Sequence, residues 1–237
     1  MANSYFKFKQ FTVQQDKCAM KVCTDACLFG ALVANCNPST ANCLDIGTGT
    51  GLLALMFAQK NNSAKIDAVE INSEAATQAK ENISASPWAD HIQVFNEDIL
   101  TFNPGKQYNC IISNPPFFED DLQSKDDAKN EAKHNTSLSL IQLLQVVDTK
   151  LTGNGLFAML LPYQRIDYFA AEAANIGLYL TRQIIVKQTM KHKFFRGILF
   201  FSKKETEPQR TQLIIKDLDH NYTPEFAAAL KDYYLFL

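Results

Sequence analysis

The fold of this 237-residue chain is decided by the stretch Asp45-Ile-Gly-Thr-Gly-Thr-Gly51. An apolar run, residues 43–46, leads into it, and residues 52–60 follow with apolar side chains at helical spacing. Glycine permits positive φ and lets a ligand approach the backbone, while the first turn of a helix offers unpaired N–H groups. The pattern therefore predicts a strand, a tight ligand-holding turn and a helix.

The glycine spacing of this turn separates it from two common phosphate-binding turns. The dinucleotide turn has the pattern G-x-G-x-x-G and the P-loop has G-x-x-x-x-G-K-[ST], whereas this turn has G-x-G-x-G with an acid two residues before the first glycine. It resembles the first motif of class I S-adenosylmethionine-dependent methyltransferases. The resemblance implies that S-adenosylmethionine is the cofactor, bound by Asp45, Gly47, Thr48, Gly49 and Gly51.

Strand and helix patterns alternate on both sides of the turn. The strands are predicted at 43–46, 65–70, 91–95, 108–113 and 156–161, and the helices at 25–34, 52–60, 74–83 with Ser73 as N-cap, and 138–151 ended by Gly153 and Gly155. Such alternation predicts a parallel sheet with helices on both faces. Residues 180–188, 197–203 and 211–216 are β-rich without intervening helices, which predicts an antiparallel edge.

These elements predict an α/β fold, and the resemblance implies a Rossmann-like class I methyltransferase sandwich with a mostly parallel seven-stranded sheet. We expect residues 1–237 to form a single domain with an N-terminal arm at about 1–24. The segment 118–133 is the one stretch with the composition of a mobile loop, because it is acidic up to Asp127 and lacks apolar anchors.

Two carboxylates follow the next two predicted strands. Glu70 ends the second strand, where a carboxylate can accept hydrogen bonds from ribose hydroxyls. Asp98 ends the third strand, where the methyltransferase resemblance implies recognition of the adenine amino group of the cofactor. Ile71 and Ile99, the next residues, are assigned to the same cofactor site. Taken singly, each carboxylate has the alternative of being an ordinary solvated side chain.

The fourth predicted strand runs into Asn114-Pro-Pro-Phe117. Two prolines stiffen a turn and remove two backbone donors, which leaves the Asn114 side-chain oxygen and the Pro115 carbonyl as acceptors. An aromatic amine becomes nucleophilic when its two N–H bonds are polarised, and Phe117 offers a ring on which a base can stack. The motif resembles the N-P-P-[YF] signature of amino-group methyltransferases, so Asn114, Pro115, Pro116 and Phe117 are the predicted catalytic residues.

That signature leaves the substrate open among adenine N6 in DNA or RNA, guanine N2 in ribosomal RNA, and glutamine in release factors. A chain of this length has no room for a separate DNA-recognition domain, and the residues before the first core strand are too few for the helical domain of release-factor enzymes. A nucleotide exposed in single-stranded RNA is therefore favoured, and no DNA partner is expected.

A basic stretch supports an RNA partner. Seven lysines and arginines lie between residues 187 and 210, and two phenylalanines are interleaved with them. Phosphate contacts and base stacking use this mixture, although a solvated β-hairpin has a similar composition. The predicted RNA-binding residues are Lys187, Lys191, Lys193, Phe194 and Arg196.

Composition and sequence pattern argue against a polycationic, a secreted, a membrane-spanning or a metal-binding protein. Lysine and arginine total 23, aspartate and glutamate total 25, and the net charge of -2 excludes a histone-like polycation. The N-terminus lacks the apolar run of a signal peptide, and no stretch has the length of a membrane helix. The six cysteines form no C-x-x-C pair, so no metal is expected. We expect a cytoplasmic protein without a membrane partner, acting as a monomer.

Three further segments narrow the resemblance to one family. Residues 11–25, 132–139 and 222–234 resemble segments of the bacterial tRNA1(Val) (adenine-37-N6)-methyltransferases, although Gln15 stands where histidine is common. The resemblance implies methyl transfer to N6 of the adenine beside the anticodon, with the tRNA anticodon loop as partner. Lys21 and Thr24 lie where related enzymes place residues over the methionine end of the cofactor. Guanine-N2 methylation of ribosomal RNA and a non-catalytic RNA-binding relative remain the alternatives.

Overall fold

Strands that are apolar on both faces form the centre of the protein. The computed structural model describes residues 3–18, 20–36, 42–115 and 138–237. The strands are β1 (Tyr5–Lys7), β2 (Thr12–Gln14), β3 (Asn42–Ile46), β4 (Lys65–Val69), β5 (Ile92–Phe95), β6 (Tyr108–Ser113), β7 (Leu151–Pro162), β8 (Tyr179–Lys187), β9 (Phe194–Ser202) and β10 (Gln209–Ile214). The helices are α1 (Thr24–Ala34), α2 (Leu52–Lys60), α3 (Ser73–Ser84), α4 (Leu140–Lys150), α5 (Ile166–Asn175) and α6 (Pro224–Leu230).

The main sheet has the order β10-β8-β9-β7-β6-β3-β4-β5. From β3 the chain moves to β4 and β5 on one side and then returns to β6 and β7 on the other. The strand order therefore reverses between β3 and β6. Open α/β sheets bind ligands at such a reversal, in the crevice beyond the carboxyl ends of the strands.

Two apolar layers cover the two faces of the sheet. Cys43 packs into the layer formed with α1, α2, α3 and α6, and the next residue, Leu44, packs into the layer formed with α4 and α5. Both side chains are fully buried. Since successive side chains of a strand point to opposite faces, burial on both faces explains why Cys43, Leu44 and Ile46 of β3 are apolar.

The C-terminal edge confirms the predicted antiparallel pairing and adds one strand to the predicted seven. β9 pairs antiparallel with both β7 and β8. β10 pairs parallel with β8, so the main sheet has eight strands among the described residues. The parallel pairing of β10 departs from the predicted antiparallel edge, because a strand pattern does not encode the partner or the direction of a strand.

Two predicted features at element ends, an N-cap and a helix stop, are wrong, and several other predicted ends are displaced by one to three residues. The N-cap of α3 is Asn72, one residue before Ser73, and its side chain accepts from the N–H groups of Glu74 and Ala75. The strand predicted at 156–161 begins at Leu151 and runs through Gly153 and Gly155, which were expected to end the preceding helix. The pairing of β7 with β6 shifts register along this part. An irregular strand accommodates glycine, so here glycine marks a bulge and not a helix end.

The predicted N-terminal arm packs against the rest of the chain. Phe8, Phe11 and Val13 are buried and belong to the same apolar layer as α1 and α2. The Lys9 N–H donates to the Tyr233 carbonyl at 2.8 Å. Residues near the two ends of the chain are therefore in direct contact.

Two buried amide side chains of α3 connect the N-terminal arm to this helix and to the glycine turn. Asn82 accepts from the Gln14 N–H at 2.8 Å, and its Nδ2 donates to the Gln14 carbonyl at 2.9 Å and to the Thr50 carbonyl at 2.8 Å. One turn earlier, Gln78 donates to Asp16 Oδ1 at 2.7 Å and accepts from the Lys17 N–H at 2.9 Å. The arm, α3 and the glycine turn thus share one hydrogen-bond network.

We expect Asn82→Ala to lower the free energy of unfolding by about 3 kcal/mol, because it removes three hydrogen bonds and leaves the buried Thr50 carbonyl and the partly buried backbone groups of Gln14 without this partner. Urea denaturation followed by circular dichroism measures this loss. The control is Glu81→Gln on the same helix, which weakens the exposed ion pair of Glu81 with Lys17 and should leave the free energy of unfolding nearly unchanged. Equal losses in the two variants would contradict the role of the buried amide.

Candidate active site

The turn after β3 provides open backbone at the strand reversal. Gly47, Gly49 and Gly51 all have positive φ, between 56° and 82°. A Cβ at Gly47 or Gly49 would meet no other atom of the described residues within 4 Å, whereas one at Gly51 would reach Ile83 at 3.4 Å. The first two glycines therefore border free space into which a ligand could approach, and the third allows close packing against α3.

The acid that precedes the turn is completely buried. Thr48 donates its hydroxyl to Asp45 Oδ2 at 2.6 Å, and Asp45 Oδ1 has no hydrogen-bond partner among the described residues. Burial raises the pKa of the Asp45 carboxyl to about 7, the hydrogen bond from Thr48 opposes the rise, and the nearby Glu70 carboxylate adds to it. A buried carboxyl with one unused oxygen is suited to receive a donor or a positive charge from a ligand.

Glu70, which directly follows β4, accepts a hydrogen bond from the glycine turn. One carboxylate oxygen accepts from the Gly49 N–H and the other from the Asn72 N–H, both at 2.9 Å. Asn96, at the end of β5, donates to the carbonyls of Glu70 and Ile71 and so fixes the neighbouring strand ends. The Ile71 side chain is 60% exposed beside this carboxylate. This edge offers acceptors together with an apolar surface, which suits a ribose and an aromatic ring.

The other predicted cofactor residues have different surroundings. Asp98 is half-buried after β5 and its Oδ1 accepts from the Leu100 N–H, while Ile99 is buried. Thr24 is the first residue of α1 and is half-buried, and Lys21 is exposed. Asp98 therefore lies at the same strand-end edge as Glu70.

Asn114 lies next to the glycine turn. Ile46, the last residue of β3, pairs with Ser113, the last residue of β6, and the Ser113 hydroxyl donates to the Ile46 carbonyl at 3.0 Å. Gly47 and Asn114 therefore directly follow two adjacent strands, whose axes lie about 4.8 Å apart. Asn114 is half-buried and Pro115 is buried. Pro116, Phe117 and the segment 118–133 lie outside the described residues.

The predicted RNA-binding stretch begins at this same edge. Lys187 ends β8 and pairs with Phe194, the first residue of β9, and the Lys187 Nζ lies 4.3 Å from the centre of the Phe194 ring. Lys191 and Lys193 are exposed in the turn between these strands. Arg196 Nε donates to the buried Asp25 of α1 at 2.8 Å, so this guanidinium also joins β9 to α1.

Asn96 and Asp25 hold the edge of the site, yet no sequence motif predicts them. Their contacts depend on strand and helix ends that meet only in the folded chain. Within the described ranges no group of three or more cysteine, histidine or acidic residues could hold a metal ion, and no helix is long and apolar enough to cross a membrane.

Comparisons with known proteins agree with this geometry. Residues 26–139 match the family described as Methyltransferase small domain. The chain is 44% identical to a protein of Dyadobacter fermentans, over 98% of both chains, and 40% identical to one of Bacteroides fragilis, over 99% of both. Both relatives carry the name tRNA1(Val) (adenine(37)-N6)-methyltransferase.

Solved structures show the same fold at low identity. A predicted O-methyltransferase of Agrobacterium tumefaciens superposes with a TM-score of 0.66 at 15% identity, covering 88% of this chain and 96% of that one. A putative RNA methyltransferase of Pyrococcus horikoshii gives a TM-score of 0.53 at 18% identity, covering 75% and 80%. These likenesses confirm the predicted fold class.

The pKa of Asp45 predicts how stability depends on pH. Since this pKa lies near 7 when folded and near 3.8 when unfolded, the folded protein keeps a proton that the unfolded chain loses, and the free energy of unfolding falls as pH rises from about 4 to 7. In Asp45→Asn the side chain cannot ionise. The decrease of the free energy of unfolding between about pH 4 and 7 should therefore be smaller by up to about 4 kcal/mol. Urea denaturation at a series of pH values measures it.

Thr48→Val is the matched variant for this test. It keeps the carboxyl but removes the hydrogen bond that lowers its pKa, so the pH-dependent fall should persist and extend to higher pH. A wild-type pH profile in Asp45→Asn would show that another group is responsible.

Proposed function

We propose, from the premise that this chain belongs to the family of tRNA1(Val) (adenine(37)-N6)-methyltransferases, that it methylates N6 of an adenine in tRNA with S-adenosylmethionine as donor. The target is the adenine at position 37, beside the anticodon, and the protein works in the cytoplasm. One observation carries the mechanism: the register of β3 and β6 sets Asn114 beside the glycine turn at the strand reversal.

The residues of the turn fit the cofactor. Gly47 and Gly49 border open space that a Cβ would narrow, and the unused oxygen of Asp45 can face a positively charged group. Glu70 would hold the ribose, Asp98 the adenine amino group, and Ile71 the face of the adenine ring. When bound, S-adenosylmethionine supplies an electrophilic methyl group on a sulfonium sulfur.

Asn114 and Pro115 would act on the target amine. The lone pair of adenine N6 is delocalised into the ring, so the nitrogen is a poor nucleophile until its geometry becomes tetrahedral. The Asn114 side-chain oxygen and the Pro115 carbonyl would accept its two N–H groups, and these hydrogen bonds strengthen as the nitrogen gains positive charge. The interaction is thus stronger in the transition state than in the ground state. Pro116 would keep the turn rigid, and Phe117 would stack on the base.

The tRNA would reach this site along the start of β9. Lys191 and Lys193 are exposed and can contact phosphates, and Lys187 with Phe194 lies at the carboxyl edge of the sheet. Arg196 would contact the RNA from a position fixed by Asp25. Lys21 and Thr24 lie before and at the start of the same helix as Asp25, and we assign them to the methionine end of the cofactor.

The reaction is tested by incubating the enzyme and S-adenosylmethionine with synthetic tRNA1(Val) anticodon stem-loops that carry adenine or guanine at position 37. Mass spectrometry of the nucleosides should find N6-methyladenine in the first substrate and no methylated guanine in the second. N2-methylguanine as the sole product would establish the guanine-specific alternative. Calorimetric binding of S-adenosylmethionine without any product would indicate a non-catalytic RNA-binding relative.

We expect Asn114→Ala to reduce kcat by at least about 100-fold, because one of two preorganised acceptors is lost from the transition state. Calorimetry should show an unchanged Kd for S-adenosylmethionine, since the glycine turn and Glu70 are intact. The control is Asn103→Ala, which removes an exposed asparagine from the loop before β6, at the opposite edge of the sheet, and should keep wild-type turnover. Turnover of Asn114→Ala within a few-fold of wild type would refute the assigned role.

A further inference from the structure

Tyr163 forms an aromatic pair with Phe194 at the carboxyl edge of the sheet. The two ring centres lie 5.1 Å apart, with an angle of 36° between the ring planes. Tyr163 is 39% exposed and Phe194 is half-buried. Lys187 Nζ lies 4.3 Å from the Phe194 ring centre, so the pair also carries a cation. We call Tyr163, Phe194 and Lys187 the aromatic platform.

The strand register gives the distance of the platform from the reacting site. Ser113 pairs with Met159 on β7, so Asn114 is level with Leu160. Tyr163 comes three residues after Leu160, which at about 3.3 Å per residue places it roughly 10 Å further along and one strand to the side. The platform thus lies beyond Asn114 at the same edge of the sheet, where a nucleotide next to the target would lie.

The chemistry of the platform matches a nucleotide base. An exposed aromatic ring stacks on any base, and a nearby cation adds attraction for the electron-rich ring system and for the phosphate. Lys191 and Lys193 lie exposed in the turn that precedes Phe194. A neutral apolar partner would gain nothing from these charges, whereas an RNA strand uses both the rings and the lysines.

We propose that Tyr163 and Phe194 stack a base adjacent to the target adenine, so that the platform holds the flanking nucleotide while the target is turned into the site. This inference rests on the proposed tRNA substrate and assigns Tyr163 a role in binding it. The platform contributes to RNA affinity and to positioning, and it takes no part in binding S-adenosylmethionine.

The test measures Kd for the synthetic tRNA1(Val) anticodon stem-loop by fluorescence anisotropy, in the absence of cofactor. Tyr163→Leu and Phe194→Leu should each weaken binding about 5- to 100-fold, and Tyr163→Phe, which keeps the ring, should restore wild-type affinity. The matched control is Tyr168→Leu on α5, which removes an equally exposed tyrosine outside the platform and should leave affinity unchanged. Thermal unfolding and the Kd for S-adenosylmethionine verify that each variant is folded.

Two further stem-loops identify the stacked base. One has an abasic nucleotide immediately before position 37, and the other has one immediately after it. Wild type should bind one of these two RNAs about 5- to 100-fold more weakly, and Tyr163→Leu should not discriminate between that RNA and the intact loop. Unchanged affinity in both leucine variants, or additive losses from the variant and the abasic site, would overturn the platform. RNA affinity is measured without turnover. Absence of methylation would therefore refute the proposed reaction without affecting the conclusion about the aromatic platform.

Discussion

The candidate site depends on the parallel pairing of β3 with β6, in which Ile46 lies opposite Ser113. This register brings the last residue of each strand to the same level, so the glycine turn and Asn114 begin side by side. If β6 slipped by one residue, the side chains of Ser113 and Asn114 would each move to the other face of the sheet. The Asn114 and Pro115 oxygens would then no longer lie beside the glycine turn. The close packing of both layers opposes such a slip, because it would move every side chain of the slipped strand into the other layer.

Around this pair, hydrogen bonds between distant segments hold the edge of the site. Asn82 connects Thr50 with Gln14, and Asn96 connects the end of β5 with Glu70 and Ile71. The Arg196–Asp25 ion pair joins β9 to α1 with a partly buried guanidinium. These contacts leave few degrees of freedom at the strand ends, and a site built from preorganised groups spends little binding energy on ordering itself.

The central elements and the glycine turn could be predicted from the sequence because their signals are local. The helix predicted at 52–60 and the strand predicted at 108–113 have those bounds in the structure, since apolar periodicity and adjacent glycines mark them. The cap at Asn72 and the strand through Gly153 were missed because the same residue types serve as caps, turns and bulges. The parallel pairing of β10 and the contact between Arg196 and Asp25 join residues far apart in sequence, and no local pattern encodes them. The roles of the individual site residues remain predictions.

The contact of Lys9 with Tyr233 has a consequence for synthesis on the ribosome. The segment containing Phe8 and Phe11 emerges long before its partners around residues 82, 88 and 233. Until then its aromatic side chains can pack against one another but lack these native partners, so chaperones or wrong partners can bind them. The glycine turn gains its link to Gln14 only after α3 has emerged, so the nascent chain completes this turn late.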